Sequence, residues 1–164
     1  MKKVGIIMGS DSDLPVVQKA IDQLTALEIP FEVHVYSAHR TPEQARAFAV
    51  GARDNGFGAI IAAAGMAAHL AGAIAANTTL PVVGIPCKST TLDGMDALLS
   101  TVQMPTGIPV ATVAIGGGAN AALLCAQILA VENADLAAKL DAKRQKDAAV
   151  VLQKDKTISE SFQK

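Results

Sequence analysis

At 164 residues the chain suits one domain with a sizeable core and leaves no room for two. Fourteen Lys and Arg against fifteen Asp and Glu give a formal charge of −1, which excludes the strong positive field that gathers nucleic-acid phosphates or anionic lipid. Hydrophobic residues make up 51% and charged ones 18%, so the chain is neither disordered nor thinly cored and has apolar surface for burial against copies of itself. Its two cysteines, Cys87 and Cys125, are too few for a disulfide framework, lack zinc-type spacing and point to the cytoplasm.

Met1-Lys2-Lys3 before Val4 to Met8 mimics the start of a signal peptide, but the apolar run stops at Gly9-Ser10-Asp11 without a small-residue cleavage site, and it reads as a first strand, Lys3 to Met8. A helix follows from Leu14 to about Leu27, capped by Ser12 or Asp13 with Pro15 in its first turn. The second strand is Phe31 to Tyr36. Thr41-Pro42-Glu43-Gln44 carries a capping-box pattern and opens a helix to about Asn55, ended by Gly56. The uncharged run from Ala59 to Ala76 is long enough to raise a membrane span, yet its alanines, Gly65, His69 and Gly72 are better explained by a strand to Ala64, a turn, and a helix from Met66 to Ala76. Val82 to Ile85 is a fourth strand, Leu92 to Val102 a helix, and Val110 to Ile115 a fifth strand. The triplet Gly116-Gly117-Gly118 precedes a helix from Ala119 to Val131, and a polar, amphipathic helix or tail completes the chain. Strands alternating with helices imply an α/β doubly wound parallel sheet of five main strands, helices on both faces.

In such a sheet ligands bind beyond the carboxyl ends of the strands, so the strand-end loops should carry the chemistry. They read Gly9-Ser10-Asp11-Ser12-Asp13, Ser37-Ala38-His39-Arg40-Thr41, Gly65-Met66-Ala67-Ala68-His69, Pro86-Cys87-Lys88-Ser89-Thr90 and Gly116-Gly117-Gly118-Ala119-Asn120. The first loop is either a phosphate or sugar cradle, with hydroxyls and free helix amides, or an ordinary helix cap; it has neither dinucleotide nor Walker glycine spacing. In the second, Arg40 can grip a phosphate or carboxylate, Ser37 can donate to the same anion and His39 can move a proton near neutral pH; Arg40 pairing with Glu43 is the plainer alternative. His69, isolated among alanines, either meets a ligand or satisfies a backbone group. His34, inside the second strand, reads as structural, and Cys87 as a packed thiol. No three acids, histidines or cysteines have a metal-ligand spacing, so no metal is expected.

Gly9 to Asp13, Ser37-Ala38-His39-Arg40-Thr41-Pro42, Ala67-Ala68-His69-Leu70, Val102-Gln103-Met104-Pro105 with Gly107-Ile108-Pro109-Val110, and the late helix Ala119 to Ala130 occur in one order. Together they closely resemble the class I 5-(carboxyamino)imidazole ribonucleotide mutases of bacterial purine (IMP) synthesis, over about Lys3 to Val131. The resemblance implies a three-layer flavodoxin-like fold assembled as a homo-octamer with sites between subunits. It implies transfer of a carboxylate from the exocyclic nitrogen to the ring carbon without ATP, metal or organic cofactor. His39 takes the family's proton-transfer role; Ser10, Ser37 and Arg40 face the substrate phosphate, Asp13 the ribose hydroxyls, and Gly65, Ala67, Ala68, His69 and Leu70 the base and its carboxylate. Residues 1–164 are then a single catalytic domain whose helix or tail from about residue 135 packs on a neighbouring subunit.

Three departures stand out. Met66 and Ala71 occupy positions that are glycine and proline in many relatives, the Gly116–Gly118 loop is shorter and lacks their lysine, and the region beyond Asp135 matches weakly. Two rival readings remain: a class II enzyme of the same fold that carboxylates aminoimidazole ribonucleotide directly with carbon dioxide, and a non-catalytic nucleotide-binding module.

Overall fold

The computed structural model describes residues 1–163. Five strands, β1 (Lys3–Met8), β2 (Phe31–Val35), β3 (Phe57–Gly65), β4 (Val82–Cys87) and β5 (Ala111–Thr112), form one parallel sheet in the order β2-β1-β3-β4-β5. The helices are α1 (Leu14–Ala26), α2 (Pro42–Gly51), α3 (Leu70–Ala75), α4 (Met95–Val102), α5 (Gly118–Ala130) and α6 (Ala134–Phe162). This is the three-layer, doubly wound architecture of the flavodoxin type, and its strand order reverses between β1 and β3.

Strand periodicity divides the core into two layers. Ile6, Ile61 and Val83 stand in register across β1, β3 and β4 and face α1 and α5, where Val17, Ala20, Leu24, Ala121, Cys125 and Ala126 are buried. One residue along, Ile7 and Ala62 face α2 and α3 with Ala45, Ala49, Leu70 and Ile74. The alanines let the helices lie close to the sheet. At one crossing the approach requires glycine: a Cβ on Gly118 would stand 2.1 Å from the carbonyl oxygen of Val16, fixing how closely the start of α5 meets α1.

Several boundaries differ from the sequence reading, each for a local reason. A short 3-10 turn, Asp11–Asp13, precedes α1, and the Ser10 side chain accepts from the Ser12 amide; neither Ser12 nor Asp13 caps the helix. Thr41 makes no capping bond to α2, because its Oγ1 accepts from the Ser37 amide at 2.8 Å and faces the Ser37 carbonyl at 3.2 Å. The helix after β3 starts at Leu70 instead of Met66, since Met66 and His69 both adopt left-handed φ (55° and 59°), which cannot propagate a right-handed helix. Strand β5 shrinks to two residues: beyond it the Val113 and Gly116 amides still donate to Gly84 and Pro86, but three residues span what two cover on β4, breaking the ladder. Strand β2 is a half-exposed edge strand, not a buried one; His34 lies on it, stacked on Tyr36 at 4.9 Å.

The chain after α5 is one long helix. Asn133 caps it by accepting from the Leu136 amide at 2.9 Å, Leu136 is buried, and Lys139 pairs with Glu28 at the end of α1. From Asp141 onward nearly every described residue is exposed.

Candidate active site

The loops after β1, β2, β3 and β4 converge on a cleft of about 550 Å³ at the strand-order reversal. Its wall contains Ser10, Asp13, Ser37, His39, Arg40, Gly65, Ala68 and Leu70 of the expected set. Two larger grooves, of about 940 and 1010 Å³, lie around the opposite ends of the strands; neither contains a histidine or brings serines and a cation together.

Ser37 organises the second loop. Its Oγ accepts from the amides of His39 (3.3 Å) and Arg40 (3.2 Å), which leaves the hydroxyl proton for an incoming anion. An Arg40 Nη donates to the Gly9 carbonyl at 3.0 Å, so the guanidinium is tied to the end of β1 with donors to spare. Ser12 Oγ lies 3.0 Å from Ser10 Oγ, which in turn donates to Asp11 at 3.1 Å. The first two loops thus place two serine hydroxyls and a guanidinium together beside a helix N-terminus, a combination suited to a phosphate. Arg40 does not form the pairing with Glu43 that the sequence also allowed. His39 is exposed on the rim, one residue from the anion-binding atoms.

Asp13 is half-buried behind this loop. Burial pushes its carboxyl above the ordinary 3.8, and Asp11 adds to the rise, while the Cys87 thiol and the Ser10 backbone oppose it. Burial, with the nearby Asp13 charge, pushes the Cys87 thiol up to about 12, so it is a neutral packed group beside Asp13, donating to the Ile85 carbonyl at 3.8 Å, and not a nucleophile. Cys125 is likewise raised to about 12 by burial in the core.

Ala67 and His69 do not line the cleft. His69 turns toward α4, where its Nδ1 lies 2.6 Å from the Ser100 carbonyl; because that oxygen only accepts, the ring proton sits on Nδ1. The ring covers Gly72, where a Cβ would come within 2.1 Å of Nε2. Of the two readings of His69, its contacts in the chain are those of a group satisfying a backbone carbonyl. The structure also adds residues to the cleft that the sequence reading left unassigned: Gly9, Ser12, Ala38, Ala64, Met66, Lys88, Ser89 and Thr90. Their signal was position, since all lie in or beside the strand-end loops. Among the described residues no three His, Cys, Asp or Glu side chains gather as metal ligands, and no helix is long and apolar enough to cross a membrane.

Serine hydroxyls, a guanidinium and a histidine gathered at the reversal point of a five-stranded parallel sheet define a flavodoxin-like α/β protein whose cleft has groups suited to a small anionic ligand. Residues 3–149 match the profile of the family described as AIR carboxylase, and the chain belongs to that family. It is 53% identical over 153 residues to the N5-carboxyaminoimidazole ribonucleotide mutase of Mycobacterium tuberculosis, covering 93% of this chain and 88% of the relative. The mutase of Bacillus subtilis is 54% identical over 152 residues, covering 92% and 94%. The crystal structure of Treponema denticola PurE superposes with a TM-score of 0.84 at 26% identity, over 94% of this chain and 96% of that one.

Proposed function

We propose that the chain is a 5-(carboxyamino)imidazole ribonucleotide mutase, an isomerase of purine biosynthesis. The observation that carries this reading is the single cleft that joins Ser10, Asp13, Ser37, His39 and Arg40, in a chain about half identical to proteins of that name. Ser10, Ser37 and Arg40 hold the substrate phosphate, Asp13 accepts from ribose hydroxyls, and the base lies along Gly65, Ala68 and Leu70. His69 and Ala67 shape that segment from behind, His69 by anchoring it to α4.

Loss of carbon dioxide from the carbamate breaks the N–C bond, and protonated His39 delivers its proton to the exocyclic nitrogen. The neutral enamine-like ring then attacks the retained carbon dioxide from its ring carbon. His39, now neutral, removes the proton from that carbon and is restored to its starting state. Atoms and charge balance without ATP, metal or organic cofactor. Alanine-lined walls slow the escape of carbon dioxide, and its confinement beside the ring carbon supplies the proximity term.

Surface features support assembly of the chain into a homo-octamer with sites completed between subunits. Leu92 in the turn before α4 and Met95, Leu99 and Val102 on it expose an apolar patch, and Val151, Ile158 and Phe162 expose another on α6. In the proposed assembly α6 packs on a neighbour, within one catalytic domain per chain. Two buried free cysteines fit a reducing cytoplasm.

Purified protein, without ATP or added metal, is given either the carboxyamino ribonucleotide or aminoimidazole ribonucleotide plus bicarbonate, and turnover is followed by ultraviolet absorbance. Turnover of the first at low bicarbonate is expected. Turnover of the second alone would assign the direct carboxylase reaction, and turnover of neither would leave a binding module.

A further inference from the structure

Among the described residues, Lys88 is the one lysine or arginine besides Arg40 in the cleft wall, and the sequence gave it no role. It follows the last residue of β4, whereas the Arg40 guanidinium is tied to Gly9 just past β1. Two strand spacings separate those ends, roughly 10 Å at 4.7–4.9 Å per step. That span suits a ligand with an anion at each end, as in a ribonucleotide whose base bears a carboxylate. The base segment, from Gly65 to Leu70, begins at the last residue of β3, the strand between β1 and β4, so it starts between those two strand ends.

In the unliganded chain Lys88 Nζ pairs with Asp93 Oδ1 at 2.9 Å, and both side chains are more than two-thirds exposed. Exposed pairs of this kind are weakly held in water, so a ligand carboxylate in the cleft can displace Asp93 at little cost. Asp93 and Gly94 both have positive φ (52° and 93°), which folds the loop back and brings the carboxylate to the lysine. From these observations, and on the reading of the cleft given above, we propose that Lys88 binds the migrating carboxylate and distinguishes carboxylated from uncarboxylated ribonucleotides, with Asp93 holding the ammonium in place until ligand arrives.

The charge exists on substrate and product alike but not on the carbon dioxide between them. Lys88 therefore stabilises the bound ligands more than the transition states, so its removal raises KM without lowering kcat.

Calorimetric titration with aminoimidazole ribonucleotide and with its 4-carboxylate tests this separately from turnover. Lys88→Gln is expected to weaken the 4-carboxylate about tenfold and to leave the uncarboxylated ligand within about twofold, with Lys88→Arg restoring most of the difference. Asp93→Asn, which tolerates the left-handed backbone, is expected to tighten the 4-carboxylate about two- to threefold by freeing the lysine. Equal weakening of both ligands by Lys88→Gln would place the lysine at the phosphate or in the fold, and no weakening would leave it without a role; either overturns the assignment, as does weaker 4-carboxylate binding by Asp93→Asn. Failure of the wild-type chain to bind either ligand overturns both this and the proposed function. Discrimination without turnover overturns the mutase reading alone.

Discussion

His39 and Asp13 depend on different physics, and substitutions separate them. His39 is exposed and held only through its backbone amide to Ser37, so His39→Asn should leave fold and ribonucleotide affinity nearly intact. Losing a group proposed to serve both proton transfers is expected to lower kcat by about 10²- to 10⁴-fold, as measured in the ultraviolet assay; near-normal turnover would remove His39 from the mechanism. Asp13 carries a folding cost, because its carboxyl is harder to ionise folded than unfolded. A raised acid favours the folded state below its unfolded value, and that advantage disappears as pH climbs through the folded value. Asp13→Asn should therefore raise the melting temperature at pH 7, with the gain shrinking as pH falls through the window just above 3.8, while ribonucleotide binding weakens. Melting curves from pH 3.5 to 7 check the sign; a gain that grows toward acid would contradict it.

The loops after β1 and β2 were legible at this scale because hydroxyl, guanidinium and imidazole groups at adjacent strand ends must converge in a parallel sheet. His69 was not, since its direction depends on a left-handed φ at residue 69 and on the bare backbone of Gly72. Lys88 gave no signal, because a single lysine in a loop is uninformative until the fold brings it into the cleft wall with Arg40.

Helices and strands were legible where the hydrophobic period is long. Strand β1 begins and ends where the pattern does, and α1 and α5 match to within a residue or so. Errors gathered at ends, where one hydrogen bond competes with another: Thr41 serves Ser37 in place of the cap, and the last strand loses its ladder to an extra residue. Close approach between elements was invisible. Gly118→Ala puts a methyl against the Val16 carbonyl and should destabilise the protein by about 1–3 kcal/mol, lowering the melting temperature by several degrees at fixed protein concentration. Gly51→Ala is the control: its nearest neighbour is the end of the Asn55 side chain, so the helix gains propensity and stability should hold or rise. Equal losses in the two variants would mean that the α1–α5 approach is not the constraint.

For the molecule as a whole, large hydrophobic residues stand exposed on α4 and along the far half of α6. Along α6, Val151, Ile158 and Phe162 are spaced by seven and four residues and share one face. If that face lies on a neighbour in the proposed octamer, Val151→Asp with Ile158→Asp should lower the assembled mass seen in sedimentation while the circular dichroism of the α/β body persists. An unchanged mass would show that α6 does not hold the assembly.

Sequence alone determined the alternation of strands and helices, the parallel sheet and the loops that carry polar chemistry. These follow from the period of apolar residues and from the geometry that forces βαβ connections to one hand. Only the tertiary structure decided that Thr41 and Ser37 satisfy each other, that His69 serves a carbonyl of α4, and that Asp13 lies against a buried thiol. The last two depend on distances between residues far apart in the chain, and the His69 contact also on a left-handed backbone angle whose cost the surrounding packing offsets, while the first is a local competition over four residues. Residue identity gives the chemistry a side chain can perform; the atoms packed around it decide which part of that chemistry remains available.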